Sequence, residues 1–116
     1  MLADPFPESD WQKLRDVREK ALNRLCARII SEIEAKCKLS QSISSPHSAY
    51  SHIYAHVRNS DKIVAELFDD WRRSTVLIVL CGWMREGLLA KDEFEALSEK
   101  TKDKVRTIVH NIKYFA

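Results

Sequence analysis

His52 and His56 stand four residues apart in "SHIYAHV", a spacing that puts both imidazoles on one face of a helix. Metal pairs use that spacing, as in the HExxH zinc motif, where a glutamate beside the first histidine acts as general base. Here that place is Ile53, and no third ligand is apparent, so the pair reads as a polar helix face beside Tyr54. His47 follows a proline and His110 lies near the chain end, and neither has an adjacent acid to form a relay. Cys26, Cys37 and Cys81 are odd in number and lack CxxC spacing. Each falls in an apolar pattern, which points to reduced core thiols of a cytoplasmic protein. Arg24 and Arg28 flank Cys26, but residues two apart on a helix point in different directions, so nothing activates that thiol. There is no Gly-rich phosphate loop and no GxSxG. The residue types therefore assign no catalytic group, no metal and no cofactor. A small metal-dependent helical enzyme built on His52 and His56 is a distant rival.

Two charged clusters remain. In "DDWRR", read on a helix, Asp69 reaches Arg72 or Arg73 and Asp70 reaches Arg73. This is either ion pairing where a core helix meets solvent or the rim of an interface, since Trp and Arg are enriched at contact hot spots. Lys100, Lys102, Lys104 and Arg106 make the last helix look basic, and a helix–Gly turn–helix outline precedes it. Glu99 and Asp103 interrupt that charge, and the net charge is only +2, so a solvated helix face is favoured over nucleic-acid binding.

The elements that position these residues follow from composition and periodicity. The 116 residues fit one domain, 45% are hydrophobic and 31% charged, and only two glycines and three prolines occur. Few turn residues mean few, long elements. The N-terminus has no basic or apolar leader pattern, and the longest apolar run, Val76 to Cys81, falls far short of the ~20 residues of a membrane span. Residues 1–9 read as a flexible arm and 10–116 as a single all-α domain. Ser9 and Gln12 suggest a capping box. Leu14, Val17, Ala21, Leu25, Ile29 and Ile33, widened by Leu22, Cys26, Ile30 and Cys37, predict an amphipathic helix over 10–38. At 1.5 Å per residue it spans about 40 Å, longer than a compact domain of this size needs, and implies packing against a second chain or a protruding end.

Ser40 to Ser48 reads as a loop, followed by a helix carrying Tyr50, Ile53, Val57, Val64, Leu67 and Trp71 on one stripe. Thr75 to Cys81 is β-branched enough for a strand, but no other segment could pair with it, so a core helix apolar all round is the reading. Gly87 ends it in the left-handed C-cap position. "KDEFEAL" makes a short helix, and Ser98 caps a last helix that buries Val105, Ile108, Val109 and Ile112. The fold class is all-α, with four to five helices, a long N-terminal helix and a dimer through helix packing. Trp71, Trp83 and Phe94 anchor its core.

The stretch Asp70-Trp71-Arg72-Arg73-Ser74, the apolar helix, Arg85-Glu86-Gly87-Leu88 and Asp92-Glu93-Phe94-Glu95-Ala96-Leu97-Ser98 resembles the C-terminal half of the cyanobacterial fluorescence recovery protein family. The resemblance covers about thirty residues. It implies an all-α, dimeric, non-enzymatic regulator. Such a protein binds photoactivated orange carotenoid protein and speeds its return to the resting state, ending photoprotective quenching at the phycobilisome. The family's activity-linked Trp, His, Asp and Arg fall, without gaps, on His52, Ala55, His56 and Lys62. Tyr54, His56, Arg58 and Lys62 are the expected partner-facing patch, with Trp71 and Arg72 at a dimer or partner rim. The alternatives are a dimer on the same scaffold with another protein partner, or a helix–turn–helix nucleic-acid binder.

Overall fold

Apolar residues three and four apart build a first helix, α1, that runs over Glu8–Ile43 in the computed structural model, which describes residues 6–43 and 45–115. It starts earlier and ends later than the periodicity alone predicts. Residues 1–5 lie outside the described residues, but Phe6 packs against the core and Glu8 opens the helix. Ser9 is therefore inside the first turn and does not cap. Gln12 Nε2 instead donates to Glu8 Oε1 at 3.0 Å. At the far end the helix continues through "SQS", because Ser40 and Ser42 turn their hydroxyls onto the carbonyls of Cys37 (2.7 Å) and Leu39 (2.9 Å). The expected loop over 40–48 shrinks accordingly. Ser45 is extended at ψ 149°, as the residue before a proline must be, and its Oγ accepts the Ser48 N–H at 3.2 Å. Pro46 then opens α2 (Pro46–Phe68), a single helix that passes through 58–61 without a break.

The chain leaves helical geometry over 69–75. The ion pairs of "DDWRR" are consequently not helical ones. Arg72 grips Asp70 with two bonds of 2.7 and 3.1 Å, and Arg73 pairs with Glu8 at 2.7 Å while lying over the Trp11 ring. The Arg72 guanidinium holds the Asp70 carboxyl below its ordinary range.

The apolar run is α3 (Val76–Arg85), a helix as predicted, followed by α4 (Lys91–Glu95) and α5 (Glu99–Phe115). No strand occurs among the described residues. α3 is not buried all round: Val76, Val79, Leu80, Cys81 and Trp83 are buried, whereas Ile78 is 71% exposed. Gly82 lets α3 approach α2 closely, since a Cβ there would stand 2.7 Å from Leu67 Cδ2. Gly87 ends α3 at φ 70°, with Gly87 N bonded to Met84 O (3.1 Å) and Leu88 N to Trp83 O (2.9 Å), a Schellman motif.

Trp11, Leu14, Ala21 and Leu25 of α1 meet Leu67, Phe68, α3, Leu88, Phe94, Leu97 and Val105 in one cluster. Within it Trp71 stacks between Trp11 (4.9 Å) and Trp83 (5.7 Å), and Phe68 stacks on Trp83 (5.4 Å). Trp83 is fully buried and donates Nε1–H to Leu67 O at 3.0 Å, whereas Trp71 is only half-buried. Val105 is buried, and Ile108 and Val109 are partly so; the side chain of Ile112 lies outside the described residues.

Polar side chains of α1 close the ends of the other helices. Lys13 donates to Ala96 O at 2.6 Å, Arg18 to Phe68 O, Arg24 to Leu88 O at 2.9 Å, and Arg28 to Glu86 O at 2.8 Å. Arg24 also binds both oxygens of Glu93, at 2.6 and 3.0 Å, and Glu93 accepts the Ala90 N–H at 2.8 Å. At the start of α5, Ser98 Oγ accepts the Thr101 N–H at 3.4 Å, the predicted cap. A second cap comes from across the chain. Asp10, fully buried, accepts Ser98 N–H (3.0 Å), Ser98 Oγ–H (2.6 Å) and Thr101 Oγ1–H (2.6 Å).

Burial by itself would raise the Asp10 carboxyl, but the bonds from Ser98 and Thr101, with Lys13 nearby, outweigh it and hold it below 3.8. The Arg24 bond likewise holds Glu93 below 4.5. Both groups are depressed in the folded state, so their stabilisation is full above their ordinary values and is lost as pH falls through the folded ones. Urea midpoints should thus be flat near neutrality and drop once pH passes below about 4. Asp10→Ala, which strands the Ser98 and Thr101 hydroxyls, should lower the unfolding free energy by about 2–4 kcal/mol and flatten that acid limb.

Candidate protein-binding surface

The protein measures 59 × 31 × 23 Å. The long axis follows from α1, whose 36 residues span about 54 Å at 1.5 Å per residue. α1 beyond Arg28 and α2 before Ser60 form an antiparallel arm that leaves the core cluster. Ile29 on α1 and Val64 on α2 mark the edge of that cluster on the two helices. Two helices alone cannot bury both of their faces. Tyr50 (67% exposed), Ile30 (64%) and Tyr54 (57%) accordingly face solvent, with Leu39 and Val57. Tyr50 and Val57, members of the apolar stripe expected on the second helix, are thus surface residues.

Between the two helices runs an open apolar groove of about 500 Å³, lined by Cys26, Ile29, Ile30, Tyr54, Val57 and Val64. Arg58 and Asp61 give it a polar margin. The Tyr50 and Tyr54 rings stack at 6.4 Å and extend the apolar strip toward the tip. Apolar floor, aromatic anchor and charged rim are the anatomy of a protein contact.

The residues expected to face a partner separate into three places. Tyr54 and Arg58 line the groove, and Lys62, exposed, continues their row one turn on. His56 points the other way. It lies in a cleft of about 430 Å³ with Arg28, Glu32, Asn59, Ser60 and Glu86, and its Nε2 stands 3.3 Å from Glu32 Oε1. Two residues along a helix turn the side chain by roughly 200°, which is why Tyr54 and His56 cannot share a surface. Trp71 belongs to the aromatic stack, with the Arg18 guanidinium 5.3 Å over its ring, and Arg72 is exposed beside Asp70. Ile30 and Tyr50 are the surface residues that periodicity missed. The signal for Ile30 was an apolar stripe on α1 wider than one partner helix can cover; Tyr50, near the start of α2, had none.

The chemistry of the His56 cleft is limited. Ser60 follows His56 by one turn, but no hydrogen bond joins them among the described residues, so they form no nucleophile–base pair. His52 and Ala55 are exposed on α2. Among the described residues no group of three His, Cys, Asp or Glu is placed to hold a metal, and no helix is long and apolar enough to cross a membrane. Burial pushes the Cys81 thiol up, away from a nucleophilic thiolate.

The basic look of α5 is largely engaged internally. Lys102 is buried, 2.8 Å from Glu99 and 3.5 Å from Glu95, and Arg106 pairs with Asp103 at 3.0 Å. α4, at five residues, is also short for the first helix of a DNA-reading pair. Gel-shift titration with a random duplex at low salt should therefore show no retarded band; salt-sensitive retardation would restore the nucleic-acid reading. Compared with known proteins, the chain matches no family model, no curated protein and no solved structure.

Proposed function

We propose that this protein is a non-enzymatic regulator that works by binding other proteins through its α1–α2 arm. It acts as a homodimer, and its client is a photoactivated orange carotenoid protein, as for the fluorescence recovery proteins that the 70–98 stretch resembles. The observation that carries the reading is the apolar arm surface: Ile30, Tyr50 and Tyr54 project from two helices that have no third layer to pack on. Contiguous apolar surface with a polar rim marks an interaction site. A second copy of the arm would complete a four-helix arrangement about a two-fold axis, the commonest symmetry of small helical assemblies.

Regulation then needs no reacting group. A binder speeds conversion of its client only by holding the conversion transition state more tightly than the starting state, and shifts the balance only by differential affinity. One observation favours a second reading, in which the same scaffold serves another protein partner. Where the family carries Trp, His, Asp and Arg, this chain has His52, Ala55, His56 and Lys62, and His56 is turned into the α1–α2 cleft.

Light scattering should give twice the 13.5 kDa chain mass, and Ile30→Asp combined with Tyr54→Asp should reduce it to a monomer that keeps its helical circular dichroism. Added to photoactivated orange carotenoid protein, the wild-type chain should shorten the recovery time severalfold and co-elute with it. A clean monomer at micromolar concentration would sink the dimer. An unchanged recovery rate without a complex would leave only the different-partner reading.

A further inference from the structure

Away from the arm, α3, α4 and α5 enclose a half-open cavity of about 440 Å³, to which neither α1 nor α2 contributes. Its walls are Met84, Phe94, Val105 and Val109, and the Cys81 thiol forms part of its lining. Every polar side chain at its mouth is basic: Arg85, Arg106 and His110. Among the described residues no carboxylate lines it. Arg106 is already committed, 3.0 Å from Asp103 and stacked 5.7 Å from the Phe94 ring centroid. Arg85 has no ion-pair partner among the described residues and lies on the same helix as Cys81, one turn further on. An apolar chamber of ligand size, about 300–1,000 Å³ by general experience, with the unpaired Arg85 guanidinium at its rim, selects an apolar body that ends in an anion.

We propose that this cavity binds a medium-chain carboxylate, its alkyl chain packed among Met84, Phe94, Val105 and Val109 and its carboxylate at Arg85. The chemistry excludes the obvious competitors. An alkylammonium would meet Arg85 with like charge, and a small hydrophilic anion would forgo the apolar walls, whose contribution grows with each methylene buried. The neutral thiol of Cys81 offers the chain a soft, uncharged contact. The site is independent of the arm, so ligand binding and protein-partner binding can be tested separately.

The probe is decanoate, titrated calorimetrically into the full chain, with decylammonium and acetate as controls. Decanoate should saturate with a Kd on the order of 0.1 mM, and neither control should bind. Decanoate should also slow alkylation of Cys81, read by peptide mapping, while leaving the exposed Cys37 unchanged. Arg85→Glu, on the exposed rim, should weaken decanoate at least tenfold without altering thermal unfolding. Val109→Trp should abolish binding by filling the chamber. Absence of saturation at about ten times the expected Kd, or equal binding of decylammonium, would overturn the proposal. So would full affinity in a folded Arg85→Glu protein.

Discussion

Every α-helix ends in carbonyls that have no partner inside the helix, and in this protein one helix supplies donors to the ends of three others. Arg18 closes α2, Arg24 and Arg28 close the turn after α3, and Lys13 closes the exit of α4. The same helix reaches the opposite kind of terminus through Asp10, which satisfies the start of α5. Signs match the helix dipoles throughout: cations at C-terminal ends, an anion at an N-terminal one. These residues alternate along α1 with the apolar anchors Leu14, Ala21 and Leu25, so the stripe that buries area also fixes where each short element stops. α3 and α4 are too short to be stable by propensity; α3 is held by packing on α5 and α2, and the polar ties from α1 fix where these elements end.

Ion pairs are not equal in such a scheme. The Arg24–Glu93 pair is bidentate, partly buried and shares Glu93 with the Ala90 N–H, so removing either partner leaves several groups unmet. The Arg72–Asp70 pair has similar distances but sits in solvent, where water and salt screen it and little net stabilisation remains. Trp83 combines both kinds of stabilisation. Its ring fills the core between Phe68 and Trp71, and its N–H takes the Leu67 carbonyl that the end of α2 leaves open.

Local features were readable from the sequence. The helical nature of Val76 to Cys81 followed from the lack of any strand to pair with, the Gly87 terminus from its position after Arg85 and Glu86, and the Ser98 cap from its place before an apolar period. The ties that position these elements were not readable. Ser98 and Asp10 are 88 residues apart and Arg24 and Glu93 are 69 apart, and no spacing rule links such pairs. The serine-rich stretch misled in the other direction. Serines 40 and 42 suggest a loop by type, yet their hydroxyls bond back to the preceding turn and the helix continues. The surface residues were legible in part. Tyr54 and Arg58 could be named from α2, but that His56 would turn toward Glu32 depends on where α1 packs.

The unbroken run of α1 divides its own sequence into two regimes of evolutionary constraint. Up to Arg28, nearly every inward position either fills the core or closes another helix, so change there is paid in folding. Beyond it, the exposed side chains of the arm, Ile30 among them, carry little of the core. Substitution at Ile30 or, on α2, at Tyr54 therefore leaves the ties made by Asp10, Arg24 and Trp83 untouched. Surface chemistry on the arm and the stability of the head are separable properties of this chain.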